Sequence, residues 1–209
     1  MECISEKILV SGPWVSDKEV NYTADAARNG WNQHCFDYLN RFEQTAKDYL
    51  GVQYALGTSS CTGALHLALL ALGLSKGDEV ILPETTWIAT ANALEYVQAT
   101  PVFVDIDPLS WTIDTQKIRQ AITPKTKAII AVHLYGQPCN MPEILKIAQE
   151  NNLFVIEDAA EALGGEINGQ KVGGLGHIGC FSFHGSKAIV MGEGGLLVTN
   201  NPKSEAKRS

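Results

Sequence analysis

The sequence predicts an α/β domain built on a mostly parallel β-sheet, and two observations support this prediction. Helices of about ten residues alternate with short strands along much of the chain. The strands, such as Phe154–Ile156, are apolar at almost every position, which is typical of parallel strands buried on both faces. With 45% apolar residues among 209, the chain has the composition of one large globular domain.

Two helices come first, at about Asp17–Arg28 and Asp37–Leu50, and they form an N-terminal segment of about residues 17–50. In the second helix, apolar residues recur at three- and four-residue steps, as on a helix that lies on a core: Phe36, Leu39, Phe42, Ala46 and Leu50. An α/β core of about residues 52–200 follows. Its first helix, Thr62–Leu72, ends before Gly73, a residue suited to a left-handed cap.

The alternation then continues to Asp158. The further predicted helices are Ala89–Val97, Thr115–Ala121 and Met141–Asn151, and the strands are Glu79–Leu82, Val102–Val104, Ala128–Val132 and Phe154–Ile156. Beyond Asp158 the pattern changes. A hairpin around Asn168-Gly169 is predicted over Glu166–Val172. Two more strands, Cys180–Phe183 and Leu196–Thr199, flank a glycine-rich loop.

Charge and hydropathy exclude several classes of function. The net charge of −7 disfavours binding to the phosphate backbone of nucleic acid. The longest apolar run, Ala64–Leu74, falls short of the roughly 18 residues that span a bilayer, and no signal peptide is expected at the N-terminus. Five scattered cysteines without a Cys-x-x-Cys motif indicate reduced thiols, so we expect a cytoplasmic protein.

Candidate functional residues follow the strands, because ligands in an open α/β sheet bind beyond the carboxyl ends of its strands. Asp158, Lys187 and Trp87 each come shortly after a predicted strand, and Gly57–Thr62 opens the helix Thr62–Leu72 with small and hydroxyl residues. Each feature alone has an ordinary structural explanation, such as a helix cap or a solvated lysine. Together they require a ligand with a phosphate, an aromatic face, a basic ring nitrogen and an aldehyde, which is pyridoxal 5'-phosphate.

The chemistry of that ligand matches these residue types. A lysine amine can form a Schiff base with the aldehyde. A carboxylate that faces the ring nitrogen keeps it protonated, so that the ring withdraws electrons. An aromatic side chain can stack on the ring, while hydroxyls and the N–H groups of a helix N-terminus can hold the phosphate.

Other motifs carry less weight. Gly174–Gly179 fits G-x-G-x-x-G but precedes a strand, so it fails the context of a dinucleotide site. His177 and Cys180 have the spacing of metal ligands without a second pair, and no metal is expected. His184 is predicted either to contact the cofactor or substrate or to be a packed histidine, and His133 is predicted to be structural.

From about Ser11 to Asn200, the sequence resembles the DegT/StrS family of sugar aminotransferases. The resemblance rests on an ordered set of segments: Ser59–Leu67, Gly77–Val80, Thr86-Trp87, Thr100–Asp105, Glu157–Glu161, Phe181–Lys187 and Gly192–Gly195. It implies the aspartate-aminotransferase-type large domain (fold type I). It also implies that Lys187 forms the Schiff base and moves the proton, that Asp158 faces the pyridine nitrogen, and that Trp87 stacks on the ring.

The resemblance extends to the phosphate site and to the substrate. It implies that Ser60, Cys61 through its backbone, Thr62 and Ser182 bind the cofactor, and that Glu161 lies near the ring hydroxyl, where many members carry Gln or His. The Asp-Ala-Ala-Glu and His-Gly-Ser-Lys segments look most like the perosamine-synthase branch. That branch implies a GDP-linked 4-keto-6-deoxy sugar as substrate and glutamate as amino donor.

Family members form their active sites between two subunits, so a homodimer is expected. They also carry a C-terminal small domain that this sequence lacks, so we expect residues 1–209 to form the cofactor-binding large domain alone. Two alternatives stay open. Instead of an active aminotransferase, the chain could be a catalytically incomplete fragment that acts with a partner chain. It could also be a dehydratase or lyase that uses the same cofactor. Dehydratase relatives have histidine at the position of Lys187, which argues against the latter.

Overall fold

The computed structural model describes residues 14–201, which contain six helices and nine strands. The helices are α1 Asp17–Asn29, α2 Asp37–Leu50, α3 Cys61–Ala71, α4 Ile88–Tyr96, α5 Thr115–Ala121 and α6 Met141–Asn151. The strands are β1 Tyr54–Thr58, β2 Glu79–Pro83, β3 Thr100–Val104, β4 Thr126–Val132, β5 Phe154–Asp158, β6 Glu166–Ile167, β7 Gln170–Lys171, β8 Ile178–Ser182 and β9 Gly195–Thr199. Short 3₁₀ turns occur at Asn32–His34 and Leu134–Gly136.

Seven strands form one sheet in the order β1-β9-β8-β5-β4-β2-β3. Neighbouring strands from β8 to β3 are parallel, whereas β9 is antiparallel to both of its neighbours. The predicted α/β class with a mostly parallel central sheet is therefore confirmed. The predicted helices and strands recur in the structure with shifts of up to about two residues at their ends.

Strand β1 was missed by the sequence analysis. It is short and contains Gly57, so its local pattern does not indicate a strand. Its conformation comes from distant partners instead: Tyr54–Thr58 pairs with Gly195–Thr199 of β9. The Gly57 N–H also donates to the Glu43 carboxylate of α2 over 2.9 Å.

The core lies on both faces of the sheet. Adjacent residues of β4 point to opposite sides, so Ile130 packs in the cluster under α3 and α4 while Ile129 packs in the cluster under α5 and α6. A third cluster, which includes Leu50 at the end of α2 and Phe181 of β8, covers the β8–β9 end. Burial on both faces explains why the parallel strands are apolar at nearly every position.

The polarity of the strands decides where a ligand can bind. Strands β2, β4, β5 and β8 are parallel and end at one edge of the sheet, and β9 begins there with Gly195 opposite Ser182. Beyond β5, the predicted hairpin forms with a tight turn in which Asn168 and Gly169 have φ of 52° and 79°. Among residues 14–201, no helix is both long and apolar enough to cross a membrane.

Candidate active site

A cavity of about 450 Å³ opens at the carboxyl edge of the sheet. It draws its walls from the starts of α3 and α4, from the ends of β4, β5 and β8, and from the loops that follow these strands. Every residue predicted for the site lines it: Ser60, Cys61, Thr62, Trp87, Asp158, Glu161, Ser182 and Lys187. The fold thus brings residues from distant parts of the sequence to one place.

Asp158 is the last residue of β5, and only 5% of it is exposed. Its Oδ2 accepts a hydrogen bond from the Thr90 hydroxyl over 2.7 Å, and its Oδ1 accepts one from the Ala160 N–H over 3.1 Å. Burial raises the pKa of Asp158, and these two hydrogen bonds oppose that shift by stabilising the carboxylate. Within residues 14–201, no ion pair neutralises this side chain.

Lys187 lies in the loop that follows β8, with its side chain directed into the cavity. Its Nζ is 3.1 Å from Oε1 of Glu161, and the other oxygen of Glu161 accepts a hydrogen bond from the Tyr135 N–H over 2.8 Å. Tyr135 belongs to the 3₁₀ turn after β4 and has a positive φ of 51°. The amine of Lys187 is therefore held by a carboxylate that a second loop fixes in place.

The backbone around Lys187 is also tied down. The Lys187 N–H donates to the carbonyl of His184 over 2.9 Å, which closes a turn. Within that turn, the Gly185 N–H donates to the carbonyl of Gly192, also over 2.9 Å. The loop that carries the lysine is thus connected to the chain leading into β9, and its position follows from the β8–β9 pairing.

The N-terminus of α3 forms another wall. Ser60 caps this helix by accepting a hydrogen bond from the Gly63 N–H over 3.1 Å. The N–H groups of Cys61 and Thr62 occupy the first two helical positions, where no carbonyl of the helix can accept them. Together with the positive end of the helix dipole, they form a site for an anion. Gly195 makes this arrangement possible, because a Cβ there would overlap the Ser60 carbonyl.

Trp87 immediately precedes α4, and 73% of it is exposed even though it lines the cavity. An indole in this position offers a flat apolar surface to a ring. The Sγ of Cys61 lies 3.9 Å from Oδ1 of Asp158. Burial and the neighbouring Asp158 raise the pKa of this thiol well above its ordinary value, so it stays protonated near neutral pH.

Sequence reasoning missed two residues that hold the central pair, Thr90 and Tyr135. Thr90 lies in the first turn of α4, and its burial, which distinguishes it from other helical threonines, is visible only in the structure. Tyr135 acts through its backbone N–H, which no side-chain pattern reveals.

The histidines occupy different environments. His133 is buried, as the structural prediction requires, with its Nε2 3.0 Å from Oε2 of Glu157. His184 lines the cavity, and its Nδ1 is 3.0 Å from the Ser186 hydroxyl. His177 bonds the backbone of β5 through Nδ1. The described part of the chain contains no cluster of three or more His, Cys, Asp or Glu side chains placed to hold a metal.

The donors and acceptors of this cavity fit pyridoxal phosphate. A buried carboxylate that forms no ion pair within residues 14–201 matches a protonated ring nitrogen, since burying a charge without such a partner is costly. The primary amine of Lys187 matches an aldehyde. The N–H groups of the first turn of α3 match a phosphate, and the exposed indole of Trp87 matches the face of an aromatic ring.

Comparison with known proteins gives the same result. A GDP-perosamine synthase from Escherichia coli O157:H7 is 49% identical over 194 residues, covering 93% of this chain and 53% of that protein. A UDP-N-acetyl-3-dehydro-alpha-D-glucosamine 3-aminotransferase from Acidithiobacillus ferrooxidans is 54% identical over 158 residues, covering 75% of this chain and 43% of that protein. The chain thus spans about half the length of these curated relatives.

Solved structures are also similar. The aminotransferase from Psychrobacter cryohalolentis superposes with a TM-score of 0.87 at 36% identity, over 92% of this chain and 49% of that chain. NtdA from Bacillus subtilis, solved with its bound cofactor PMP, gives a TM-score of 0.76 at 41% identity, over 80% of this chain and 38% of that chain. The profile of the DegT/DnrJ/EryC1/StrS aminotransferase family matches residues 14–208, and the chain belongs to this family.

Proposed function

We propose that this chain forms the cofactor-binding part of a pyridoxal-phosphate-dependent aminotransferase that converts a nucleotide-linked keto-deoxysugar to the aminosugar. One observation carries the proposal: the amine of Lys187 and the buried carboxylate of Asp158 line one cavity, and a helix N-terminus forms part of its wall. When bound, the cofactor supplies an aldehyde that reacts with amines and a ring that withdraws electrons.

The chain's own residues have distinct parts in this chemistry. Asp158 would hold a proton on the ring nitrogen, because its carboxylate is buried and is oriented by two hydrogen bonds. Lys187 would hold the cofactor through its aldehyde, and its Nζ would move a proton when the amine is free. Trp87 stacks on the ring. Ser60, the N–H of Cys61, Thr62 and Ser182 hold the phosphate.

The names of the relatives support one class of substrate. The E. coli relative is named for a GDP-linked aminosugar and the A. ferrooxidans relative for a UDP-linked 3-dehydro sugar, so both names support a nucleotide-sugar acceptor. We favour the GDP-linked 4-keto-6-deoxy sugar, with glutamate as amino donor. The product would enter the biosynthesis of a surface polysaccharide or another glycoconjugate. We expect the enzyme to act in the cytoplasm as a homodimer.

Two alternatives make different predictions. A dehydratase or lyase on the same cofactor would release a product that has not gained nitrogen from the donor, whereas an aminotransferase would transfer ¹⁵N from labelled glutamate to the sugar. A fragment that acts only with a partner chain would bind the cofactor but turn over only after a longer relative is added. Mixing the two and finding no complex by size-exclusion chromatography would count against that reading.

Incubation of the purified chain with pyridoxal phosphate tests the central claim. We expect a visible absorbance band, and after borohydride reduction a stable adduct on Lys187 that peptide mass spectrometry locates. Lys187→Ala should lose both signals. Lys171→Ala is a matched control, because Lys171 also pairs with a glutamate, Glu166, but lies outside the cavity. An adduct spread over surface lysines, or one that survives Lys187→Ala, would refute the assignment.

A further inference from the structure

We propose that Thr90 is a positioning residue that holds Asp158 as an oriented carboxylate toward the cofactor's ring nitrogen, and that Thr86 in turn orients Thr90. This inference rests on the proposed function, because it concerns how the same cavity receives pyridoxal phosphate.

The hydrogen-bond directions can be assigned from the contacts. An ionised carboxylate only accepts hydrogen bonds, so the single proton of the Thr90 hydroxyl points to Oδ2 of Asp158 over 2.7 Å. The Thr86 hydroxyl lies 2.9 Å from the same Thr90 oxygen. Since Thr90 has already given its proton to Asp158, Thr86 must be the donor in the second contact. The three side chains form a chain in which every donor points toward the carboxylate.

The buried position of Thr90 supports this role. Only 1% of it is exposed, and its helix packs against α3. A buried threonine in a helix commonly bonds a carbonyl of its own preceding turn, which satisfies the hydroxyl locally. Here the hydroxyl reaches across to a different element, the end of β5. A hydrophobic residue of the same shape would fill the space equally well, so the hydroxyl itself is what the site uses.

Thr90 also affects the charge of Asp158. Burial raises the pKa of this aspartate, and the hydrogen bond from Thr90 is the largest influence that opposes the rise, ahead of the Ala160 N–H. The ionisable side chains that surround Asp158 come from several elements: Cys61 on α3, His133 after β4, Cys180 on β8 and Lys187 in the following loop. Both thiols have raised pKa values and stay protonated, so neither adds a negative charge beside the carboxylate that Thr90 stabilises.

The arrangement connects two predicted contacts to the ring. Trp87 precedes α4 and Thr90 lies in its first turn, where the Thr90 N–H donates to the Trp87 carbonyl over 3.1 Å. The residue that would stack on the ring is therefore fixed relative to the residue that would face its nitrogen. A carboxylate held in this way needs no reorientation when a ligand arrives.

The test compares two ligands on the full chain. Thr90→Val removes the hydroxyl and keeps the shape, and Thr90→Ser restores the hydroxyl. The affinity of each variant is measured for pyridoxal phosphate and for its 1-deaza analogue, in which carbon replaces the ring nitrogen. We expect Thr90→Val to weaken binding of pyridoxal phosphate by about 10-fold or more, as for loss of a hydrogen bond to a charged group. Its effect on the analogue should be much smaller, and Thr90→Ser should bind like the wild-type chain.

The outcomes separate the possibilities. An equal loss for both ligands would show that Thr90 only supports the fold, and no loss for either would show that it is dispensable; both results would overturn the inference while leaving the proposed function intact. A wild-type chain that binds neither ligand would overturn both proposals. If Thr90→Val does not fold, Thr86→Val takes its place, because it removes only the donor to Thr90, and it should show the same ligand dependence with a smaller loss.

Discussion

The Nζ of Lys187 lies 3.1 Å from Oε1 of Glu161, so the amine forms an ion pair inside the cavity. Glu161 is itself fixed, because its other oxygen accepts a hydrogen bond from the Tyr135 N–H over 2.8 Å. The pair is partly shielded from solvent, with 19% and 29% of the two side chains exposed. The lysine that we propose to bind the cofactor is thus oriented before any ligand is present, which lowers the entropic cost of reaction at that amine.

The first prediction concerns turnover in the Asp158→Asn variant. Asparagine keeps the shape and a hydrogen-bond acceptor but cannot hold a proton on the ring nitrogen. We expect the adduct on Lys187 to form, while single-turnover transfer from glutamate slows by a factor on the order of 100 or more. Asp105→Asn, at an exposed aspartate after β3, should match the wild-type rate. An unchanged rate in Asp158→Asn would remove the electron-withdrawing role from the proposal.

The second prediction concerns stability and pH. Burial raises the pKa of Asp158 above its ordinary value of 3.8, so the folded chain binds this proton more tightly than the unfolded chain. The contribution of Asp158 to stability is therefore complete below pH 3.8 and is lost as pH rises through the higher folded-state pKa. Asparagine cannot ionise, and the ligand-free Asp158→Asn variant should gain stability relative to wild type as pH rises.

Urea denaturation at several pH values from 4 upward measures this difference. Asp105→Asn serves again as control and should show no such gain. A stability difference between Asp158→Asn and wild type that stays constant across the range would contradict the assignment of a raised pKa to Asp158.

The third prediction uses two serine caps with the same chemistry. Ser60 caps α3 beside the cavity, and Ser16 caps α1 far from it. Replacement of either by alanine should cost about 1 kcal/mol of stability, because each leaves a helix N–H unsatisfied. Only Ser60→Ala should also weaken the binding of pyridoxal phosphate. Inorganic phosphate should compete with pyridoxal phosphate less well in this variant than in the wild-type chain. Equal affinities in the two variants would exclude the α3 N-terminus as the phosphate site.

Three residues of the cavity could be predicted from the strand ends, because parallel strands end at one edge of the sheet and the residues there belong to a single site. Asp158 ends β5, Lys187 and Trp87 follow β8 and β2, and all three line the cavity. The residues that hold the side chains of the cavity in place could not be predicted in this way. Thr90 reaches Asp158 from within a helix, and Tyr135 reaches Glu161 through its backbone.

Strand β1 was not predicted from the sequence, for a related reason. Its partner β9 lies far along the chain, and pairing across such a separation leaves no local pattern. The close approach of Gly195 to Ser60 is equally non-local, since it joins the start of β9 to the start of α3. Local periodicity therefore predicted the elements and the ends of the strands, while contacts between distant segments required the structure.

The fourth prediction concerns fluorescence. Trp87 lines the cavity, whereas Trp111 lies in the loop after β3 and is also more than half exposed, at 55%. Binding of pyridoxal phosphate should quench the indole emission of the wild-type chain. Trp87→Phe should lose most of that quenching but retain binding, because a stacking ring remains. Trp111→Phe should be quenched like the wild-type chain. If Trp111→Phe loses the quenching and Trp87→Phe keeps it, the cofactor binds elsewhere.

The fifth prediction concerns Glu157, which is fully buried on the strand that ends in Asp158. Its carboxylate accepts hydrogen bonds from the Gly173 and Leu175 N–H groups over 2.7 Å, from the Gly176 N–H over 2.5 Å and from His133 Nε2 over 3.0 Å. His133 is a donor here because its Nδ1 accepts a backbone N–H over 3.0 Å, which leaves the ring proton on Nε2. The carboxylate therefore anchors the loop before β8 to β5.

Glu157→Gln should destabilise the chain by about 3 kcal/mol. The amide NH₂ of glutamine would face N–H donors in a buried site, so these groups would lose their hydrogen bonds. Glu150→Gln is the matched control: its partner Arg119 lies 2.7 Å away, but that ion pair is exposed and contributes at most about 1 kcal/mol. Urea denaturation of the ligand-free chains measures both changes. Similar losses in the two variants would mean that the buried network does not hold β5 and the loop before β8 together.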